Sequence, residues 1–134
     1  MLLWIPLTDS LSRCLKTRIK KEFFELAGEF GTLTEKARNG RLSGEDMSGG
    51  TFSVSNVGMF GIESFDPIIN SPECLILGVG CMKETAAVVE HEICVRTCMQ
   101  ISLSFDHTVF DGAAAAKLLK AIKDLLDDPV MMLA

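Results

Sequence analysis

Histidine is scarce in this chain, with two residues in 134, and cysteine is present without any metal-binding pattern. Cys14, Cys74, Cys81, Cys94 and Cys98 are odd in number, show no Cys-x-x-Cys spacing and have no companion histidine cluster. That argues against a metal site and for reduced thiols. Positive charge is also in deficit: the net charge is −5, which leaves no basic footprint for nucleic acid. Long apolar runs are missing as well. Met1-Leu2-Leu3-Trp4-Ile5-Pro6-Leu7 is far too short to span a bilayer, and Arg13, Lys16, Arg18, Lys20 and Lys21 follow it, where a secretory signal has its charges first. Neither nucleic acid nor a membrane is an expected partner, and a cytoplasmic location is expected, or the mitochondrial matrix in a eukaryote.

What is present suits one core. A hydrophobic content of 48% in 134 residues is enough for a single domain and too little chain for two. Between residues 16 and 39 the apolar positions Ile19, Phe23, Leu26, Ala27, Phe30, Leu33 and Ala37 recur at helical spacing, so an amphipathic helix is predicted there, with Phe23, Phe24 and Phe30 as core packing. Gly28 and Gly31 weaken its middle by about 1 kcal/mol each. Alternation of Phe52 and Val54 with hydroxyl residues marks a strand over 51–56, and Ser55 falls on the face opposite Val54. Residues 57–71 read as loop. Residues 74–79 form an almost wholly apolar strand, covered on both faces. Ala86-Ala87-Val88-Val89 and Ile93-Cys94-Val95 flank a polar turn and predict a hairpin, with His91 an exposed turn residue of no chemical role.

The most informative stretch is Ser104-Phe105-Asp106-His107-Thr108-Val109-Phe110-Asp111-Gly112-Ala113. A strand approaches it with Ile101, Leu103 and Phe105 on one face and Gln100, Ser102 and Ser104 on the other. Asp111 is a good N-cap for a helix from Gly112 to Asp127, whose stripe is Ala115, Leu118, Leu119, Ile122, Leu125 and Leu126 and whose stop is set by Pro129. His107 is thus delivered at a strand-to-helix turn. An unperturbed imidazole titrates near pH ~6.5, so it can accept a proton at physiological pH and return it. The plainer reading is a satisfied structural histidine, with Asp111 bracing the loop.

His107-Thr108-Val109-Phe110-Asp111-Gly112 resembles the His-x-x-x-Asp-Gly signature of the acyltransferase cores of 2-oxo acid dehydrogenase complexes and of the related chloramphenicol acetyltransferases. The stretch from Gly49 through Gly50-Thr51-Phe52-Ser53-Val54-Ser55-Asn56 to Gly61 is similar to that family's Gly-Gly-Thr-Phe segment. Pro67-Ile68-Ile69-Asn70-Ser71-Pro72-Glu73, Leu75-Ile76-Leu77-Gly78-Val79-Gly80 and Leu125-Leu126-Asp127-Asp128-Pro129 continue the match in order. It covers residues 23 to 133, the C-terminal part of the family's catalytic domain. Residues 1–21 do not follow the pattern beyond an echo of a strand at Trp4-Ile5-Pro6-Leu7, and they read as a divergent N-terminal arm ahead of a partial catalytic domain at 22–134.

The resemblance implies a chloramphenicol acetyltransferase-like α/β (α+β) sandwich, an incomplete mixed sheet with helices on one face. It implies an acyltransferase of the dihydrolipoamide acetyltransferase type, moving an acetyl group between a dihydrolipoyl thiol and the thiol of coenzyme A. The lipoyl group would be carried on another domain or chain. His107 matches the family's general base and Ser55 its oxyanion donor; on spacing alone Ser53 and Ser104 look like Ser55. Asp111 is expected to fix the loop, while Leu77 and Gly78 correspond to a segment lining the coenzyme A channel. The family's trimers, often built into larger cores, imply a site shared between copies and partnership with other subunits of a dehydrogenase complex. Thr108 stands where the family has an arginine, which leaves the support of the His107 loop to be explained. The alternative is a non-catalytic assembly module derived from the same domain; a chloramphenicol acetyltransferase-like enzyme is disfavoured by the 49–61 block.

Overall fold

The computed structural model describes residues 2–4, 11–13 and 23–133. Their elements run β1 (Leu2–Trp4), β2 (Leu11–Arg13), α1 (Phe23–Arg38), β3 (Ser53–Asn56), β4 (Leu75–Val89), β5 (Glu92–Phe105) and α2 (Gly112–Asp127), with short 3-10 turns at Glu45–Met47, Gly58–Phe60 and Pro129–Leu133. The strands form one mixed sheet in the order β2-β1-β3-β4-β5. β1, β3 and β4 are mutually parallel, while β2 and β5 close the two edges antiparallel. Leu2–Trp4, in the segment expected to be an arm, therefore pairs within the sheet; residues 5–7 of the expected strand echo, and residues 16–22 of the expected helix, lie outside the described residues.

The sheet has two chemically different faces. Register pairs Val54 with Leu77 and Leu77 with Leu103, and places Leu75 opposite Phe105 and Val79 opposite Ile101, so these side chains share an apolar face. The opposite face carries the rows Ser53, Ile76, Ser104 and Ser55, Gly78, Ser102. Leu75, Ile76 and Leu77 are all buried, which confirms that this part of β4 is covered on both faces. The strand does not stop where the apolar run stops. β4 continues through Lys83-Glu84-Thr85, because each of these pairs with β5, and the expected hairpin is the far end of the same two strands. Its two-residue turn is Glu90-His91, both with positive φ (51° and 69°), the geometry that joins strands of right-handed twist.

A register shift between Val79 and Met82 marks where the loop after β3 crosses β4. Cys81 N–H donates to the Ile62 carbonyl at 2.8 Å there, and a Cβ on Gly80 would lie 1.9 Å from the Glu63 carbonyl oxygen. Only glycine permits that approach. Gly80→Ala is expected to destabilise the fold by about 3 kcal/mol, since backbone has to move to make room; a chemical-denaturation midpoint equal to wild type would contradict the crossing.

Core packing is uneven. α1 buries Leu33 and Ala37, but Phe24, expected in the core, is 75% exposed. α2 begins and ends where its cap and stop predict, yet of its apolar stripe Ala115 is buried while Leu118, Leu125 and Leu126 are exposed. On the outer half of the hairpin Met82, Val88, Ile93 and Val95 are exposed, and the register puts all four on one face. An isolated two-stranded ribbon with one bare apolar face is marginally stable.

Candidate active site

His107 sits in the turn between β5 and α2, exposed, its ring centroid 5.5 Å from that of Phe105. Local hydrogen bonds shape this turn. Asp106 N–H donates to the Cys74 carbonyl at 2.9 Å, and Val109 and Phe110 N–H groups donate back to the Asp106 carbonyl. The Asp106 carboxylate accepts from both the Thr108 N–H (2.8 Å) and the Thr108 hydroxyl (2.7 Å). Those Thr108 bonds, the hydroxyl first, hold the Asp106 carboxyl below its ordinary pKa. Thr108, standing where an arginine was expected, is thus itself a brace of the loop. A group with a depressed folded pKa stabilises above its unfolded value, about 3.9, and that contribution disappears as pH falls through the lower folded value; carboxyl-detected NMR titration is expected to find Asp106 below the free carboxyl.

Asp111 caps α2. With extended φ and ψ it accepts from Ala114 N–H at 2.7 Å, while its carbonyl accepts from Ala115 N–H. This places Asp111 as the support of the turn's far end. Asp111→Ala is expected to cost about 1 kcal/mol in denaturation, and a cost of zero would contradict the cap.

Four similar hydroxyls on the polar face separate by partner and burial. Ser53, with no exposed surface, donates to the Glu73 carboxylate, and Ser102 donates to the Phe65 carbonyl at 2.6 Å. Ser55 is 6% exposed, and among the described residues its hydroxyl has no hydrogen-bond partner. A buried hydroxyl without a partner carries a desolvation cost that a bound acceptor would offset. Ser104 is only half-buried.

Leu77 and Gly78 are both buried in the sheet. A Cβ on Gly78 would meet the Ser102 hydroxyl at 2.5 Å, Pro67 at 3.1 Å and Phe65 at 3.2 Å, so the loop after β3 packs directly against this glycine. Ser53 resembled Ser55 on spacing alone and Glu73 carried no assigned role; the signal for Glu73 was a charged residue set immediately before an apolar strand.

Within one chain the two halves stay apart. Ser55 is in register with Gly78 and thus with Ser102. Phe105 lies three residues further along β5 and two strands across, on the order of 14 Å from Ser55 at ~3.3 Å per residue and ~4.8 Å per strand. His107 follows two residues later, in the turn that leads to α2, so strand register does not bring the two side chains together within the chain.

The 2-oxoacid dehydrogenase acyltransferase (catalytic domain) family matches residues 14–134. The acetyltransferase component of the pyruvate dehydrogenase complex of Rickettsia prowazekii is 41% identical over 119 residues, which is 89% of this chain and 29% of that protein. Curated relatives of comparable identity also include a succinyltransferase component. The cubic core of a pyruvate dehydrogenase multienzyme complex superposes with TM-score 0.88 at 34% identity, over 99% of this chain and 55% of that one. The dihydrolipoamide acetyltransferase of Azotobacter vinelandii does so with TM-score 0.88 at 35% identity, over 99% and 55%; its crystallographic and enzymatic investigation concerns the role of a serine, a histidine and an asparagine in catalysis. The chain spans less than a third of the length of the curated relatives named here and about half of the solved cores. Signature, sheet and match together leave one conclusion: this chain belongs to the catalytic-domain family of the 2-oxoacid dehydrogenase acyltransferases.

Proposed function

We propose that this chain supplies part of an acyltransferase that moves an acetyl group between the thiols of a dihydrolipoyl group and coenzyme A, at a site shared between copies of the chain. The observation that carries this reading is an interval. In the Azotobacter enzyme the serine precedes the histidine by 52 positions and the asparagine follows it by four; Ser55, His107 and Asp111 stand at the same intervals.

His107 takes the proton from the attacking thiol as its sulfur bonds to the thioester carbonyl carbon. A free thiol near pKa ~8.5 is mostly protonated at neutral pH, so a base in hydrogen-bond reach is needed. Ser55 donates its unengaged hydroxyl to the tetrahedral oxyanion. Collapse of that intermediate breaks the bond to the leaving sulfur, which the imidazolium reprotonates. Asp111 holds the turn as a helix cap. Leu77 and Gly78, buried in the sheet beside Ser55, belong to the segment that lines the coenzyme A channel. Residues 22–134 act as part of the catalytic domain, and Leu2–Trp4 extend its sheet.

Because Ser55 and His107 of one chain are far apart, His107 of one copy faces Ser55 of the next. Assembly is then part of the mechanism. The exposed apolar face of the hairpin and the uncovered stripe of α2 supply surface for it, so the purified chain is expected to sediment as an oligomer or to associate further; a fully folded monomer would contradict this. Acetyl transfer from acetyl-CoA to dihydrolipoamide by the purified chain, with succinyl-CoA as the competing donor, tests the reading. The alternative, a non-catalytic assembly module, predicts an ordered oligomer with no transfer.

A further inference from the structure

Glu73 lies in none of the roles assigned above, yet among the described residues it is the one buried carboxyl group. Only 7% of its surface is exposed, and it accepts the hydroxyl of Ser53, whose own exposed surface is 0%. Ser53 and Ser55 are alternate residues of a four-residue strand, so both project from the same face of β3. The Glu73 N–H donates to the Asn70 carbonyl at 2.9 Å, which closes the loop that packs over Gly78. Its neighbour Cys74 accepts from Asp106 N–H, one residue before His107. One dipeptide, Glu73-Cys74, therefore ties down both the strand bearing Ser55 and the turn bearing His107.

We propose that Glu73 is a positioning residue, which fixes the direction of the Ser55 hydroxyl by holding Ser53 on the same strand face. The inference rests on the acyl-transfer reading and assigns Glu73 no contact with substrate. A short strand has few ladder bonds to define its pleat, and a buried side-chain bond one pleat away from Ser55 removes the remaining freedom. Losing the carboxylate leaves the Ser53 donor buried without an acceptor, and the strand relaxes to find one. The oxyanion donor then points a few tenths of an ångström away from where charge develops, which affects the chemical step and not ground-state binding.

The test is a double-mutant cycle in the full chain with acetyl-CoA and dihydrolipoamide. Glu73→Ala is expected to lower kcat about tenfold with KM for both substrates within about twofold, and Glu73→Gln, which keeps an acceptor of the same length, to restore most of the rate. In a Ser55→Ala background Glu73→Ala is expected to lower kcat no further. Equal losses in the two backgrounds, or an unchanged kcat, would overturn the proposal while leaving the acyl-transfer reading intact; a folded wild-type chain that transfers no acetyl group would overturn both. Ser53→Ala removes the same bond with the loss of one oxygen, and it carries the same cycle should Glu73→Ala fail to fold.

Discussion

Replacing His107 with alanine is expected to lower kcat for acetyl transfer between coenzyme A and dihydrolipoamide by about 10²- to 10⁴-fold, the usual share of a positioned general base. The fold should barely notice. His107 is exposed, and the contact of its ring is with the neighbouring Phe105. The turn that carries it is held instead by the Asp106–Thr108 bonds, by Asp106 N–H to Cys74 and by the Asp111 cap. A His107→Ala variant with wild-type melting and sedimentation but little activity is the expected pattern. Substantial transfer by that variant would show that the thiol loses its proton elsewhere.

Ser55→Ala is expected to reduce kcat by about 10²- to 10³-fold, the typical effect of removing one oxyanion donor. Its signature is the stability that accompanies it. Since the Ser55 hydroxyl is buried without a partner among the described residues, deleting it removes a desolvated group, and the variant should melt no lower than wild type. Ser53→Ala should behave in the opposite sense, because it strips the buried Glu73 of a donor. Thermal denaturation of the two alanine variants side by side distinguishes a serine kept for catalysis from one kept for structure. A clear loss of stability in Ser55→Ala would assign that residue to the fold.

Local chemistry is what the sequence made legible. The α2 helix starts and stops at Gly112 and Asp127 because an Asp cap and a following Pro act within a few residues of the ends they define. The alternation of Ile101, Leu103 and Phe105 with Ser102 and Ser104 survives intact as the two faces of β5. Long-range partners were not legible. β4 appeared to end with its apolar run, since nothing in Lys83-Glu84-Thr85 signals that β5 pairs with it. Ser53, Ser55 and Ser104 were alike on spacing. Ser53 is distinguished by an acceptor 20 residues away, while the neighbouring Ser102 binds a carbonyl 37 residues away. The core role expected of Phe24 fails because helical periodicity reports a face and not what covers it. The site itself was half readable: His107 and Asp111 announce themselves in one short motif, but their separation from Ser55 follows only from strand order and register.

That separation underlies the central claim, that the reacting groups meet between copies. The most direct measurement co-expresses His107→Ala and Ser55→Ala chains under different tags, isolates assemblies containing both, and assays acetyl transfer. Each variant alone is nearly inactive. In mixed assemblies a site formed by the intact Ser55 of one copy and the intact His107 of the next is whole, and isolated assemblies containing both variants recover about a quarter of wild-type activity in large cores and about a third in trimers. Mixed assemblies no more active than the two variants measured separately would contradict a shared site.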